Sequence, residues 1–121
     1  MANMRISRGK HIFTHRDQMK EKYGIHQSEF TTLSVGFLMQ YKKGFFTRKF
    51  IIQVRQVDGS VAHRTLDSLI KKGFVVKDGK VKQFVKLLIT PLGHKVVANY
   101  SKLYAELVNE FEEKHWELNI Y

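Results

Sequence analysis

Apolar residues recur at three- and four-residue spacing in several stretches of this chain, and one stretch changes to β-branched runs around turn residues. The first long periodic segment predicts a helix from about Gln27 to Lys42. Phe30, Leu33, Phe37 and Tyr41 form its core stripe by spacing, with Val35 and Leu38 beside them. Gly36 is an interior cost of about 1 kcal/mol, and Gly44 closes the helix. A shorter helix ending at Tyr23 and Gly24 precedes it, opened by Thr14 with Asp17 three residues later, as in a capping box. Phe45 and Phe46 suggest a very short strand. Thr47 is then a natural N-cap for a helix from Arg48 to about Arg55 that buries Ile51, Ile52 and Val54.

The next helix runs from about Gly59 to Lys72, with Asp58 able to cap it. Ala62, Leu66 and Leu69, with Thr65, share one face. Gly73 stops this helix. Strands follow over Phe74 to Lys77 and Lys80 to Thr90, because β-branched and aromatic residues dominate there. Asp78-Gly79 between them favours a tight type I′ turn. A wider tip from Gly79 to Gln83 is the alternative. Thr90 and Pro91 open the last helix. Carried to Trp116, it is a single rod about 40 Å long.

That rod carries Val96, Tyr100, Leu103, Leu107 and Phe111 along one stripe, widened by Val97, Tyr104 and Val108. So broad an apolar band suits the seam of a homodimer. The alternative is that it folds back over its own domain. The expected fold is mainly α with a small β-hairpin wing (α+β), a winged helix-turn-helix with a long C-terminal helix. It divides into a basic arm over 1–13, with Arg5, Arg8, Lys10 and His11, a winged-helix domain over 14–90, and the terminal helix over 91–121.

Composition narrows the class. At 121 residues and 43% apolar, the chain suits one domain with a real core. Without cysteine it has neither disulfides nor thiolate metal sites, which fits a cytoplasmic protein. No apolar run approaches the roughly 18 residues of a membrane span, so no membrane partner is expected. The net charge is +10, and it is uneven. Residues 1–100 hold 19 basic and 6 acidic side chains, whereas 101–121 hold 2 basic and 5 acidic ones. A basic body calls for a polyanionic partner.

The run His63-Arg64-Thr65-Leu66-Asp67-Ser68-Leu69-Ile70-Lys71-Lys72-Gly73-Phe74-Val75 resembles the MarR superfamily of winged-helix regulators, which has an Arg, an Asp and a Lys-Lys-Gly-apolar-Val ending in this register. Leu88-Ile89-Thr90-Pro91-Leu92-Gly93 is similar to the family's junction between wing and terminal helix, and Ser28 to Leu33 to the start of its second helix. The likeness covers about 25–112, and the PadR regulators share the architecture. It implies a DNA-binding transcriptional regulator that acts as a dimer. Where the family's wing usually has an acidic-x-Arg pattern, this chain has Lys77, Asp78, Lys80, Lys82 and Lys86. Only one helix follows the wing, so a small-molecule effector pocket is not expected.

On this reading double-stranded DNA is the partner. Ser60, His63 and Arg64 would reach base edges or adjacent phosphates, since Arg can grip guanine O6 and N7 with two hydrogen bonds. Lys77, Lys80 and Lys82 on the wing would take phosphates, with Lys71 at the end of the reader helix. Arg48 and Lys49 stand at a helix N-terminus, where a cation is unfavourable unless a phosphate lies nearby. An enzyme is not expected, because no phosphate-cradling Gly loop, His-Glu-x-x-His or paired-carboxylate constellation is present. His11 and His15 have metal-ligand spacing, but two ligands make an incomplete site, so neither metal nor cofactor is expected. The rival readings are a winged-helix protein-interaction module and a replication or partition protein of a mobile element.

Overall fold

The computed structural model describes residues 19–115, with side chains through Asn109. The basic arm over 1–13, the Thr14 and Asp17 pair, His11, His15 and Trp116 lie outside the described residues, as does the side chain of Phe111. The elements are α1 (19–23), α2 (Gln27–Lys43), α3 (Arg48–Arg55), α4 (Gly59–Lys71), β1 (Val75–Val81), β2 (Phe84–Ile89), α5 (Pro91–Asn99) and α6 (Ser101–His115). The architecture is a winged helix-turn-helix followed by C-terminal helices.

Helix α2 runs through the middle of the core. Phe30, Leu33, Val35, Leu38 and Met39 are all buried, together with Thr32 and Ser34. This corrects the single-stripe expectation. A helix covered on several sides buries more than one face, and Tyr41, in its last turn, is 82% exposed. Phe37 is half-buried, edge-on to Tyr104 at 5.4 Å. Gly36 has a packing reason, because a Cβ there would lie 2.8 Å from the Phe46 ring. The glycine lets Phe46 reach fully into the core.

Phe46 forms the expected very short strand as a bridge to Leu87, with N–H···O bonds of 3.0 and 2.8 Å in the two directions. That bridge anchors the wing to the start of α3. Thr47 caps α3 by accepting from the Phe50 N–H at 3.2 Å. Ile51 and Val54 are buried, while Ile52 is half-buried. Asp58 occupies the N-cap position of α4, but its side chain makes no capping bond. Ala62, Leu66 and Leu69 face the core as the periodicity requires.

The wing differs from the tight turn expected at Asp78-Gly79. β1 continues to Val81, and the chain reverses at Lys82 and Gln83, between the paired residues Val81 and Phe84. The register shifts by one residue between Lys77 and Lys80, so Asp78 and Gly79 form a bulge, with Gly79 at φ 77°. A bulge of this kind calls for a residue that tolerates positive φ, and glycine supplies it. A type I′ turn would need positive φ at both Asp78 and Gly79, and only Gly79 has it.

The C-terminal rod is not continuous. It breaks at Tyr100 (φ −122°, ψ 41°), whose N–H is shared between the Val96 and Val97 carbonyls at 3.2 and 3.3 Å. The Tyr100 ring packs edge-on against Tyr23 and Phe30, with centroids 6.4 and 6.0 Å away. Val96 and Tyr100 thus belong to the chain's own core, whereas periodicity alone sets them on a shared apolar stripe with Leu103 and Leu107. Leu103, Tyr104 and Leu107 pack against the same core half-buried, and Val108 is buried. This part of the chain folds back over its own domain.

Candidate nucleic-acid interface

Three elements converge on one side of the molecule: the N-terminus of α3, the outer face of α4, and the wing. Ser60, His63 and Arg64 fall at helical spacing on α4, and all three are exposed. Helix α4 is therefore seated by Ala62, Leu66 and Leu69, with its opposite side open. Among the described residues Arg64 has no acidic partner. Asp67 is instead directed to Lys71, at 3.9 Å in a well-exposed pair. Such a surface pair is worth at most about 1 kcal/mol, so Lys71 remains available to a stronger anion.

Between α3, α4 and the wing strands lies a groove of about 280 Å³. Ile52, Leu66, Ile70, Phe84 and Leu87 make its apolar floor. Arg48, Lys49, His63, Asp67 and Lys77 stand around it. Sequence spacing alone could not bring these residues together, because they come from three elements. Arg48 Nη1 donates to His63 Nδ1 at 3.0 Å. Lys49 sits over the Phe84 ring, 5.1 Å from its centroid, a cation–π contact that holds the ammonium against the wing.

Beyond Val75, β1 is exposed until its last residue, which is half-buried. The wing therefore projects away from the body and carries Lys77, Lys80 and Lys82 into solvent. Lys82 is at the reversal itself, with φ 55°. Over residues 47–86 there are ten basic and three acidic side chains. The Lys86 ammonium lies 5.8 Å from the Phe45 ring centroid.

The orientation of α4 is set from beneath by residues that had no functional signal in the sequence. Glu29, almost fully buried, accepts from the Ser68 hydroxyl at 2.6 Å and from Lys72 at 2.9 Å with both carboxylate oxygens. It also accepts from the His26 N–H at 2.9 Å. Burial pushes its carboxyl up, but the His26 N–H, the Ser68 hydroxyl and the Lys72 ammonium together hold it below the usual value of 4.5. Lys72 donates to the Gly24 carbonyl at 2.6 Å as well. Arg55 fastens α3 to α2 through Thr32 Oγ1 at 2.7 Å and the Ser28 carbonyl at 3.3 Å. Burial lowers its guanidinium pKa.

This arrangement of helices and wing has counterparts among solved structures. The fold is the MarR-type winged helix. The Staphylococcus aureus MepR–DNA complex superposes with a TM-score of 0.68 at 18% identity, over 97% of this chain and 87% of that one. A MarR/EmrR family transcriptional regulator from Acinetobacter sp. ADP1 matches with a TM-score of 0.60 at 18% identity, over 96% and 80%. A MarR transcriptional regulator from Methanosarcina mazei Go1 gives 0.60 at 18%, over 94% and 73%. No family model and no curated protein sequence matches the chain. In the MarR-type frame, α3 and α4 form the helix-turn-helix and β1–β2 the wing. No group of three or more metal-ligating side chains occurs among the described residues, and no helix there is long and apolar enough to cross a membrane.

Proposed function

We propose that this chain is a cytoplasmic, DNA-binding transcriptional regulator that acts without catalysis. Helix α4 would enter the major groove, with Ser60, His63 and Arg64 on base edges or adjacent phosphates, and the wing would follow the neighbouring backbone. The observation that carries the reading is the open outer face of α4 beside a projecting lysine wing. Lys77, Lys80, Lys82 and Lys71 are cast as phosphate contacts, which fix position and release counterions without reading sequence. Arg48 and Lys49 flank the same surface at the N-terminus of α3. Two of the similar solved structures, both of MepR, are a DNA complex and an oligodeoxyribonucleotide-bound mutant, which supports the same use of the fold here.

A homodimer is part of the proposal. With Val96 and Tyr100 committed to the core, pairing would draw on α6, where Leu103 and Leu107 remain half-buried and Phe111 continues the stripe. Selection of bound duplexes from a random pool tests both claims together. The expected result is an inverted repeat, because half-site spacing mirrors a two-fold axis. Failure to retain any duplex at low salt overturns the reading. A single unrepeated site, with a monomer in sedimentation, overturns the dimer alone.

A further inference from the structure

Arg48 opens α3 and His63 lies in the second turn of α4, yet they meet on the exposed side of the reader helix. Arg48 Nη1 is 3.0 Å from His63 Nδ1. A guanidinium can only donate, so Nδ1 must be the unprotonated, accepting nitrogen. In the neutral ring the remaining proton is then on Nε2. His63 is left with one free donor and no free acceptor.

We propose that Arg48 is a positioning residue that sets His63 as a directed donor, and that His63 thereby determines sequence preference by reading an acceptor on a purine edge. This rests on the DNA-binding reading above. In the major groove guanine presents N7 and O6, both acceptors, and adenine presents N7 beside an amino donor. Cytosine presents a donor there. A ring whose only free polar atom is a donor is matched best by the two adjacent acceptors of guanine, less well by the single acceptor of adenine or of thymine, whose C5 methyl crowds it, and is opposed by cytosine.

The geometry around the pair favours this use over a stabilising one. Both side chains are exposed, so their bond contributes little to folding. Arg48 stands in a first turn with no acidic residue to offset the helix dipole. Asp67, one turn beyond His63 on α4, is directed to Lys71. Lys49, which also lines this groove, is held over Phe84. Arg48 is thus the residue that fixes the ring, and hydrogen-bond partners for its other N–H groups would come from a phosphate.

The test compares sites selected from a random duplex pool by wild type, His63→Ala, His63→Gln, Arg48→Met and Arg48→Lys. Wild type should show one purine-preferring position in each half-site. Replacing that guanine with 7-deazaguanine should weaken wild-type binding about tenfold, within the range of a specific base contact. His63→Ala should lose the preference and no longer sense the 7-deaza change. His63→Gln, whose amide both donates and accepts, should shift the preference towards adenine. Arg48→Met should blunt the preference, and Arg48→Lys should restore it, while the melting temperatures of all five proteins agree. Unchanged base preference in both His63→Ala and Arg48→Met overturns the pair as a reader and leaves DNA binding intact. Absence of duplex binding by wild type overturns both.

Discussion

Glu29 and Lys72, 43 residues apart in sequence, meet at 2.9 Å beneath α4. The pair joins the first turn of α2 to the end of α4, so it sets the angle at which α4 leaves the core. Removing Lys72 would leave a nearly buried carboxylate with its charge uncompensated. Because Lys72 is 32% exposed, Lys72→Met should destabilise by about 2 kcal/mol, less than the roughly 3–5 kcal/mol of a fully buried pair. Urea denaturation checks this, with a lower midpoint and an unchanged slope expected.

The same carboxylate gives a pH signature. Its folded pKa is depressed below 4.5, so its contribution is fully present above the unfolded value and is lost as pH falls through the folded one. Stability should therefore decline on acidification below about pH 4.5. Glu29→Gln should be less stable at neutral pH and show a shallower acid limb. Equal acid limbs in the two proteins would show that other carboxylates control the decline.

Under the proposed function, Arg64 would read sequence and Lys80 would grip the backbone. Arg64→Ala should cost about 1–3 kcal/mol on a preferred duplex and little on a scrambled one. Lys80→Ala should weaken both duplexes alike and reduce the salt slope by about 1. Anisotropy titrations at several salt concentrations distinguish the two, and equal losses for both variants on both duplexes would count against the assignment.

Gly93 lies where the wing hands over to α5. A Cβ there would stand 2.5 Å from the Phe74 carbonyl oxygen and 2.6 Å from an Ile89 methyl. The junction is further tied by Thr90, which accepts from the Gly93 N–H at 3.1 Å and donates to the Gly73 carbonyl at 2.6 Å. Backbone atoms cannot move aside as a side-chain end can. Gly93→Ala should therefore cost about 3 kcal/mol, the upper range for overpacking, read as a lowered melting temperature.

Lys82 combines a strained backbone with an exposed charge. Its φ of 55° is one that L side chains adopt at a cost of roughly 1 kcal/mol. Lys82→Gly should leave stability unchanged or raise it slightly, because the gain is offset by glycine's greater freedom when unfolded. The same change should weaken duplex binding uniformly. A large loss of stability would mean that the side chain does more at the tip than contact solvent.

Much of the local structure was legible because it depends on nearest neighbours. Thr47 and Thr90 cap as their position before a helix dictates, and the helices that begin at Gln27 and Gly59 start where the apolar periodicity places them. The inward triad Ala62, Leu66 and Leu69 is a direct reading of the 3.6-residue period, and it leaves Ser60, His63 and Arg64 outside. Tyr41 and the wing turn were misplaced for a shared reason. Periodicity says that a residue is apolar or turn-prone, and it does not say how many neighbours surround the helix or which partner residue a strand selects.

By itself, then, the chain determined its helices as far as the wing, their order of helix, helix, helix and hairpin, and the basic character of that surface, since caps, periods and charges act over a few residues. Only the tertiary structure decided that Val96 and Tyr100 belong to the core, that Lys72 faces inward to Glu29 while Lys71 stays outside, and that Arg48 holds the ring of His63. Each of these is a contact between distant segments. Its partner is chosen by how the helices pack around α2, and the spacing of residues along either segment carries no trace of that choice.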